Sequence, residues 1–200
     1  MFEKKYRIAG ITVAAIAATV ALAGCTINLP GSNTNSNGMM DGGMMGDNES
    51  SSAFSGSDIM FAQMMIPHHQ QAVDMSTLAE THTTNPELLA LAKQIKDAQA
   101  PEIKQMTTWL TDSGASMDMG HDMGMGGMLT EEQMTALSNA TGAEFDKLYL
   151  QGMIAHHEGA IHMAQMVTDS NNAEAKQLGE NVVKSQTAEI EKMKQMLAAM

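Results

Sequence analysis

The sequence predicts an all-α protein, a four-helix bundle assembled from two copies of one helical hairpin. Three observations carry that reading. Residues 58–75 and 146–163 align without a gap at an offset of 88. Asp58, Phe61, Gln63, Met65, Ile66, His68, His69, Ala72, Val73 and Met75 stand against Asp146, Tyr149, Gln151, Met153, Ile154, His156, His157, Ala160, Ile161 and Met163. After a one-residue slip, Asn85, Leu91, Ile95, Gln99, Glu102, Ile103 and Met106 match Asn172, Leu178, Val182, Gln186, Glu189, Ile190 and Met193, and the apolar members recur at helical spacing. Strand signals are missing: aromatics make up 4% of the chain and no β-branched run alternates with polar residues. One such hairpin cannot bury its apolar face alone, whereas two copies packed together can.

The chain opens with a basic region, Lys4, Lys5 and Arg7, followed by an apolar run from Ile8 to Ala23. That run is short and Ala-rich for a transmembrane helix and reads as the core of a secretory signal, residues 1–24. It ends in Leu22-Ala23-Gly24-Cys25, which resembles the lipobox of bacterial lipoproteins, in which the chain is cut before the cysteine and the thiol carries a lipid. Residues 25–57 then form a Gly-, Ser-, Asn- and Met-rich stretch without aliphatic periodicity, expected to act as a flexible tether. The remaining residues, about 145, suffice for one domain with a core of its own.

The first hairpin is expected over residues 58–112. Its second helix places Leu88, Leu91, Ile95, Ile103, Met106 and Leu110 on one stripe, and Asn85-Pro86-Glu87 supplies an N-cap followed by Pro at the first helical position. Pro67 and Pro101 fall inside the two helices, each removing a backbone hydrogen bond and favouring a kink. Their counterparts are Ala155 and Ala188. Residues 113–142 form an insertion between the copies. Its Met-rich part, Met117 to Met128, reads as loop, and Thr130 to Leu137 as a short helix capped by Thr130. The second hairpin takes residues 143–200, with Leu178, Val182, Ile190, Met193, Leu197 and Met200 repeating the stripe.

Composition narrows the chemistry. Cys25 is the only cysteine, so the domain has no disulfide, no thiolate metal site and no thiol catalysis. Removing residues 1–24 takes away three basic residues and one acidic one, moving the formal net charge from −12 to −14. Such a surface repels nucleic acid and attracts cations. No nucleophile with an organised base and no nucleotide loop stands out, which disfavours hydrolase and transferase roles.

The histidines are the strongest chemical signal. On one helical face Met65, His68, Ala72 and Met75 are spaced three, four and three apart, and Met153, His156, Ala160 and Met163 repeat the stripe. His69 and His157 lie about 100° further round. If both first helices face one interior, two imidazole pairs and four thioethers converge there. Imidazole suits copper, zinc, nickel and iron, while thioether sulfur favours Cu(I) or Ag(I). Without thiolate the set points to copper more than to zinc. Di-iron bundles use Glu-x-x-His on facing helices. Here Glu158 and His162 are four apart and Asp74 stands in the place of His162, so a di-iron centre is disfavoured. His162 remains a further candidate ligand, and His82 reads as a helix-end residue. In the insertion Met117, Met119, His121, Met123, Met125 and Met128 form a second candidate set for soft ions, as do Met39, Met40, Met44 and Met45 in the tether. The alternatives are core methionines in the stripe and sacrificial sulfur in the loop.

The doubled pattern Met-Ile-x-His-His-x-x-Ala-(Val/Ile)-x-Met resembles the bacterial domain-of-unknown-function family three hundred and five. The resemblance covers residues 54–200. It implies a ferritin-like four-helix fold and a link to exported copper-binding proteins, carried here by Met65, His68, His69 and Met75 and by Met153, His156, His157 and Met163. The resulting expectation is a lipid-anchored, extracytoplasmic copper binder without an organic cofactor, serving sequestration, resistance or delivery to other copper-handling proteins, and not an enzyme. Two other classes stay open: a metal-dependent redox enzyme such as a cuprous oxidase, and a metal-free interaction module of the cell envelope. Binding through ordinary imidazoles should weaken as pH falls through about 6.5, and deletion of residues 117–128 should lower stoichiometry while leaving the fold intact.

Overall fold

The computed structural model describes residues 54–117 and 126–200. Among them there are five helices and no strand: α1 (Gly56–His82), α2 (Pro86–Asp112), α3 (Glu131–Asn139), α4 (Gly142–Ala164) and α5 (Ala173–Ala198). The predicted signal, Cys25 and most of the tether lie outside the described residues, as do Met119, His121, Met123 and Met125. Among the described residues no helix is long and apolar enough to cross a membrane.

Side-chain caps set the helix starts. Helix α1 begins two residues before the expected boundary because Ser55 and Asp58 form a capping box: the Asp58 N–H donates to Ser55 Oγ, and the Ser55 N–H donates to Asp58 Oδ2 at 2.8 Å. Asn85 accepts from the N–H groups of Glu87 and Leu88, and Asn172 accepts from those of Glu174 and Ala175. Thr130 and Gln133 make a second capping box at the start of the short α3. Helices α1 and α2 run through Pro67 and Pro101 without interruption.

The hairpins α1–α2 and α4–α5 pack on each other chiefly through α1 and α4. Burial falls into two apolar clusters. One gathers Met75, Leu88, Leu91 and Ile95 with Phe145, Tyr149, Met153, Ile190 and Met193. The other gathers Phe61, Met65, Met106 and Leu110 with Ala160, Met163, Leu178 and Val182. Along every one of the four long helices the residues between the clusters are polar and buried or nearly so: His68 and His69, Gln99 and Glu102, His156 and His157, Gln186 and Glu189. The bundle thus carries a polar layer across its middle. Apolar packing on both sides supplies the burial energy that such a layer does not.

The second copy is one residue shorter between its helices, and the shortfall is absorbed at the end of α4. Where α1 continues to His82, α4 stops at Ala164 and the chain tightens into i to i+3 bonds, Val167 N–H to the Ala164 carbonyl (3.1 Å) and Ser170 N–H to the Val167 carbonyl (3.0 Å). A tighter turn rises further per residue, so fewer residues span the same distance.

Candidate metal centre

Helices α1 and α4 bring the paired histidines to the middle of the bundle, where small Ala72 and Ala160 flank them in the sequence stripe. His68, His69, His156 and His157 are all fully buried. The rings of His68 and His156 lie against each other, centroids 3.7 Å apart and planes tilted by 38°. The centroid of His157 is 6.2 Å from that of His156. The two imidazole pairs predicted from separate repeats therefore meet in one place.

Each ring is anchored through Nε2 to an oxygen. His69 donates to Glu102 Oε2 and His157 to Glu189 Oε2, both at 2.8 Å. His156 donates to the main-chain carbonyl of His68 at 2.9 Å, and His68 to that of Gly126 at 3.2 Å. Carbonyls and carboxylates accept hydrogen bonds, so these partners place the proton on Nε2 and leave the lone pair on Nδ1. All four Nδ1 atoms are buried without a hydrogen-bond partner. Buried polar atoms are ordinarily paired, and leaving one unpaired costs about 1–3 kcal/mol. Four such atoms on one layer are lone pairs that no protein donor occupies.

Electrostatics keep the central rings neutral. Burial pushes His68 down to about 4, helped by the neighbouring charges of His69 and His157 and opposed by its bond to Gly126. Burial holds His156 well below the ordinary imidazole value, with His68, His157 and His69 adding to the effect. At His68 burial moves the window for proton competition from near 6.5 to about 4, because the dry layer disfavours imidazolium.

The donor set suits a soft ion with few ligands. Met65, Met75, Met153 and Met163 are all buried, but they do not converge on one point. Met65 and Met163 belong to one apolar cluster and Met75 and Met153 to the other, so thioethers flank the imidazole layer on both sides. Among the described residues no three His, Cys, Asp or Glu side chains are disposed to hold a metal ion by themselves. Neither the closed His/Cys shell of a structural Zn site nor the oxygen shell of a Mg site is found among the described residues. Neutral imidazole with thioether nearby is the preference of Cu(I) and Ag(I). The residues fit a soft cation as cargo, with Nδ1 as the donor atoms and Glu102 and Glu189 orienting two of the rings.

Other predicted positions behave differently. His162 is exposed on the outer face of α4 and does not join the layer. His82 closes α1, its ring nitrogens 2.7 Å from the Leu78 carbonyl and 3.0 Å from that of Ser138. Met117 is 48% exposed, whereas Met128 is half-buried and lines a cavity of about 270 Å³ between residues 127–129, α3 and α4. Sequence reasoning missed Glu102, Glu189, Gln99 and Gln186. Both atoms of the Gln99 amide and Oε1 of Gln186 are buried and unpaired, next to the histidines along the bundle. The signal was present: each is matched between the repeats, and Gln99 sits four residues after Ile95 and seven before Met106, on the apolar stripe.

The comparisons agree with this architecture. The family model described as domain of unknown function DUF305 matches residues 58–197. A DUF305 protein of Streptomyces coelicolor, classed as secreted, is 34% identical with a TM-score of 0.69, covering 72% of this chain and 93% of its own. A DUF305 fragment from Deinococcus radiodurans is 26% identical with a TM-score of 0.68, covering 73% and 98%. CopM in its Cu(I)-bound form is 33% identical with a TM-score of 0.61, covering 71% and 96%, and the same protein is known in Cu(II)-bound, silver-bound and apo forms. No curated protein matches the chain. With its doubled His-His helices, its bundle and a family match spanning both hairpins, the chain belongs to the DUF305 family.

Proposed function

We propose that this protein binds a soft monovalent metal ion, Cu(I) or Ag(I), in the imidazole layer and holds or hands on that ion outside the cytoplasm. The observation that carries the reading is the set of four buried, unpaired Nδ1 atoms, each on a ring anchored through Nε2. These lone pairs are donors that a metal ion with few ligands can use, and the thioethers of the flanking clusters add soft donors. His68 and His156, kept neutral by burial, need not lose a proton first, so uptake at these two rings persists in mild acid. Similarity to CopM supports copper and silver as the cargo, and the secreted Streptomyces relative supports the compartment, as do the signal-like N-terminus and the lipobox at Cys25. The membrane is then reached through the lipid, and the Met-rich insertion adds low-selectivity capture.

The role is binding and transfer, not turnover. Cu(I) added with oxygen should therefore produce no sustained oxygen consumption. The deciding experiment is an anaerobic competitive Cu(I) titration of the wild-type chain beside a variant with His68, His69, His156 and His157 all changed to Ala. Tight binding lost in the variant, with helicity retained, is the expected result. Equal binding by both would remove the layer from the function and leave the Met-rich segments as the binders.

A further inference from the structure

The two faces of the layer are held by different parts of the chain. His156 donates to a carbonyl of helix α1, inside the bundle, whereas His68 donates to Gly126, which lies outside all five helices. Residues 126–129 form a strap across this point, and three features seat it. The Gln71 amide pairs with both main-chain groups of Leu129: the Leu129 N–H donates to Oε1 at 2.7 Å, and Nε2 donates to the Leu129 carbonyl at 3.0 Å. Gly127 takes φ +86 and lies so close to α4 that a Cβ there would fall 2.3 Å from the Ala155 carbonyl. On the α4 side, a Cβ at Gly159 would fall 1.9 Å from the Gly126 carbonyl oxygen, the very atom that His68 uses.

Positions 71 and 159 are the same place in the two repeats. One copy carries an amide able to grip the main chain of the strap, and the other carries no side chain at all. Both choices fit the strap that passes over them. At the far end of the insertion Gln63 Nε2 donates to the Ser116 carbonyl at 2.8 Å, so the insertion is pinned to α1 on both sides of His68.

We propose that Gln71 and Gly159 are positioning residues for His68: they seat the 126–129 strap, whose Gly126 carbonyl sets the tautomer and orientation of this one ring. Donor geometry at His68 is then conditional on the insertion, while His156 takes its geometry from the bundle alone. The inference rests on the copper reading for its consequence, and its test does not. The consequence is that strap variants lose affinity at the His68 face, roughly ten- to a hundredfold, as orienting partners of metal ligands generally do.

The test uses the full chain, metal-free and labelled with 15N at histidine, in long-range 1H–15N correlation spectra that report imidazole tautomers. Gln71→Leu keeps the bulk of the side chain and removes the grip, and Gly159→Ala displaces the strap from the other helix while favouring helix formation. In both variants His68 should leave its single Nε2–H form and His156 should keep it. Gln71→Glu, which retains an acceptor for the Leu129 N–H, should fall between. An unchanged His68 in both variants overturns the proposal, and so does a parallel change at His156, which would mean general loosening of the layer. If the tautomer shifts as expected while wild-type protein fails to take up Cu(I), the strap stands and the copper reading falls.

Discussion

The first and second hairpins agree where the polar layer needs them to and differ in compensated pairs elsewhere. His69–Glu102 and His157–Glu189 are the same contact made twice, at the same 2.8 Å. Several divergent positions come with partners. Phe61 and Ala164 share one apolar cluster, while their counterparts Tyr149 and Ser76 hydrogen-bond at 3.1 Å beside the other. Gln71 and Gly159 differ because a strap passes over both. Ala92 is matched by Gly179, where a Cβ would fall 2.7 Å from Val167 Cγ2 and 3.0 Å from the Ala164 carbonyl, because the tightened end of α4 approaches α5 there. Core packing tolerates change when volume and hydrogen bonding change together. The comparison separates what the site demands from what packing permits.

The largest expected effect tests the shared layer. The unfolded chain protonates its histidines near 6.5, whereas burial keeps His68 neutral down to about 4 and holds His156 well below the ordinary value. The unfolded state therefore binds more protons, and metal-free stability is complete above about 6.5 and is lost as pH falls towards 4. At about 1.4 kcal/mol per pKa unit, His68 alone accounts for about 3 kcal/mol across that window. Urea unfolding of the metal-free chain at about pH 7 and about pH 4.5 measures the loss. His68→Gln and His156→Gln should each flatten the profile. If neither does, the acid sensitivity belongs to carboxylates elsewhere and the dry, neutral layer is wrong.

How much of this was legible in the sequence depends on how local each cause is. The helices, the Asn85 and Thr130 caps and the pairing of histidines across the bundle follow from spacing and from the repeat, both short-range patterns. Glu102 and Glu189 were visible as matched residues, but a carboxylate on an amphipathic helix reads as surface until the facing ring is known. The split of Met65 and Met163 from Met75 and Met153 depends on α1 and α4 running in opposite directions, which no helical wheel of a single segment reveals. The strap was hidden most completely, since Gly126 and Gly127 look like any glycines in a loop. The mismatch of Gln71 with Gly159 was its one trace.

A smaller effect tests the junction that the shorter copy required. Making the halves alike should destabilise in both directions. Gly179→Ala gains helix propensity but forces a methyl against Val167 and the α4 end, both buried, for a net loss of about 1–2 kcal/mol. Ala92→Gly, on the matching turn of α2, loses about 1 kcal/mol through backbone entropy alone. Thermal unfolding of the two single variants is the check. A stabilised Gly179→Ala chain would mean that the α4 end yields freely and that the glycine is not there for close approach.

The smallest effect is the most discriminating, because it asks whether divergence between the halves is paired. Tyr149 is fully buried and Ser76 nearly so, and each satisfies the other's hydroxyl. Tyr149→Phe strands the serine hydroxyl, and Ser76→Ala strands the phenol. Each should cost about 1 kcal/mol. The double variant recreates the Phe61–Ala164 arrangement of the opposite cluster and strands neither hydroxyl, so its loss should be well below the sum of the two single losses. A double-mutant cycle in urea measures that coupling directly. Strict additivity would mean that the hydroxyls do not depend on one another, and that the matched substitutions at 61, 76, 149 and 164 arose without compensation.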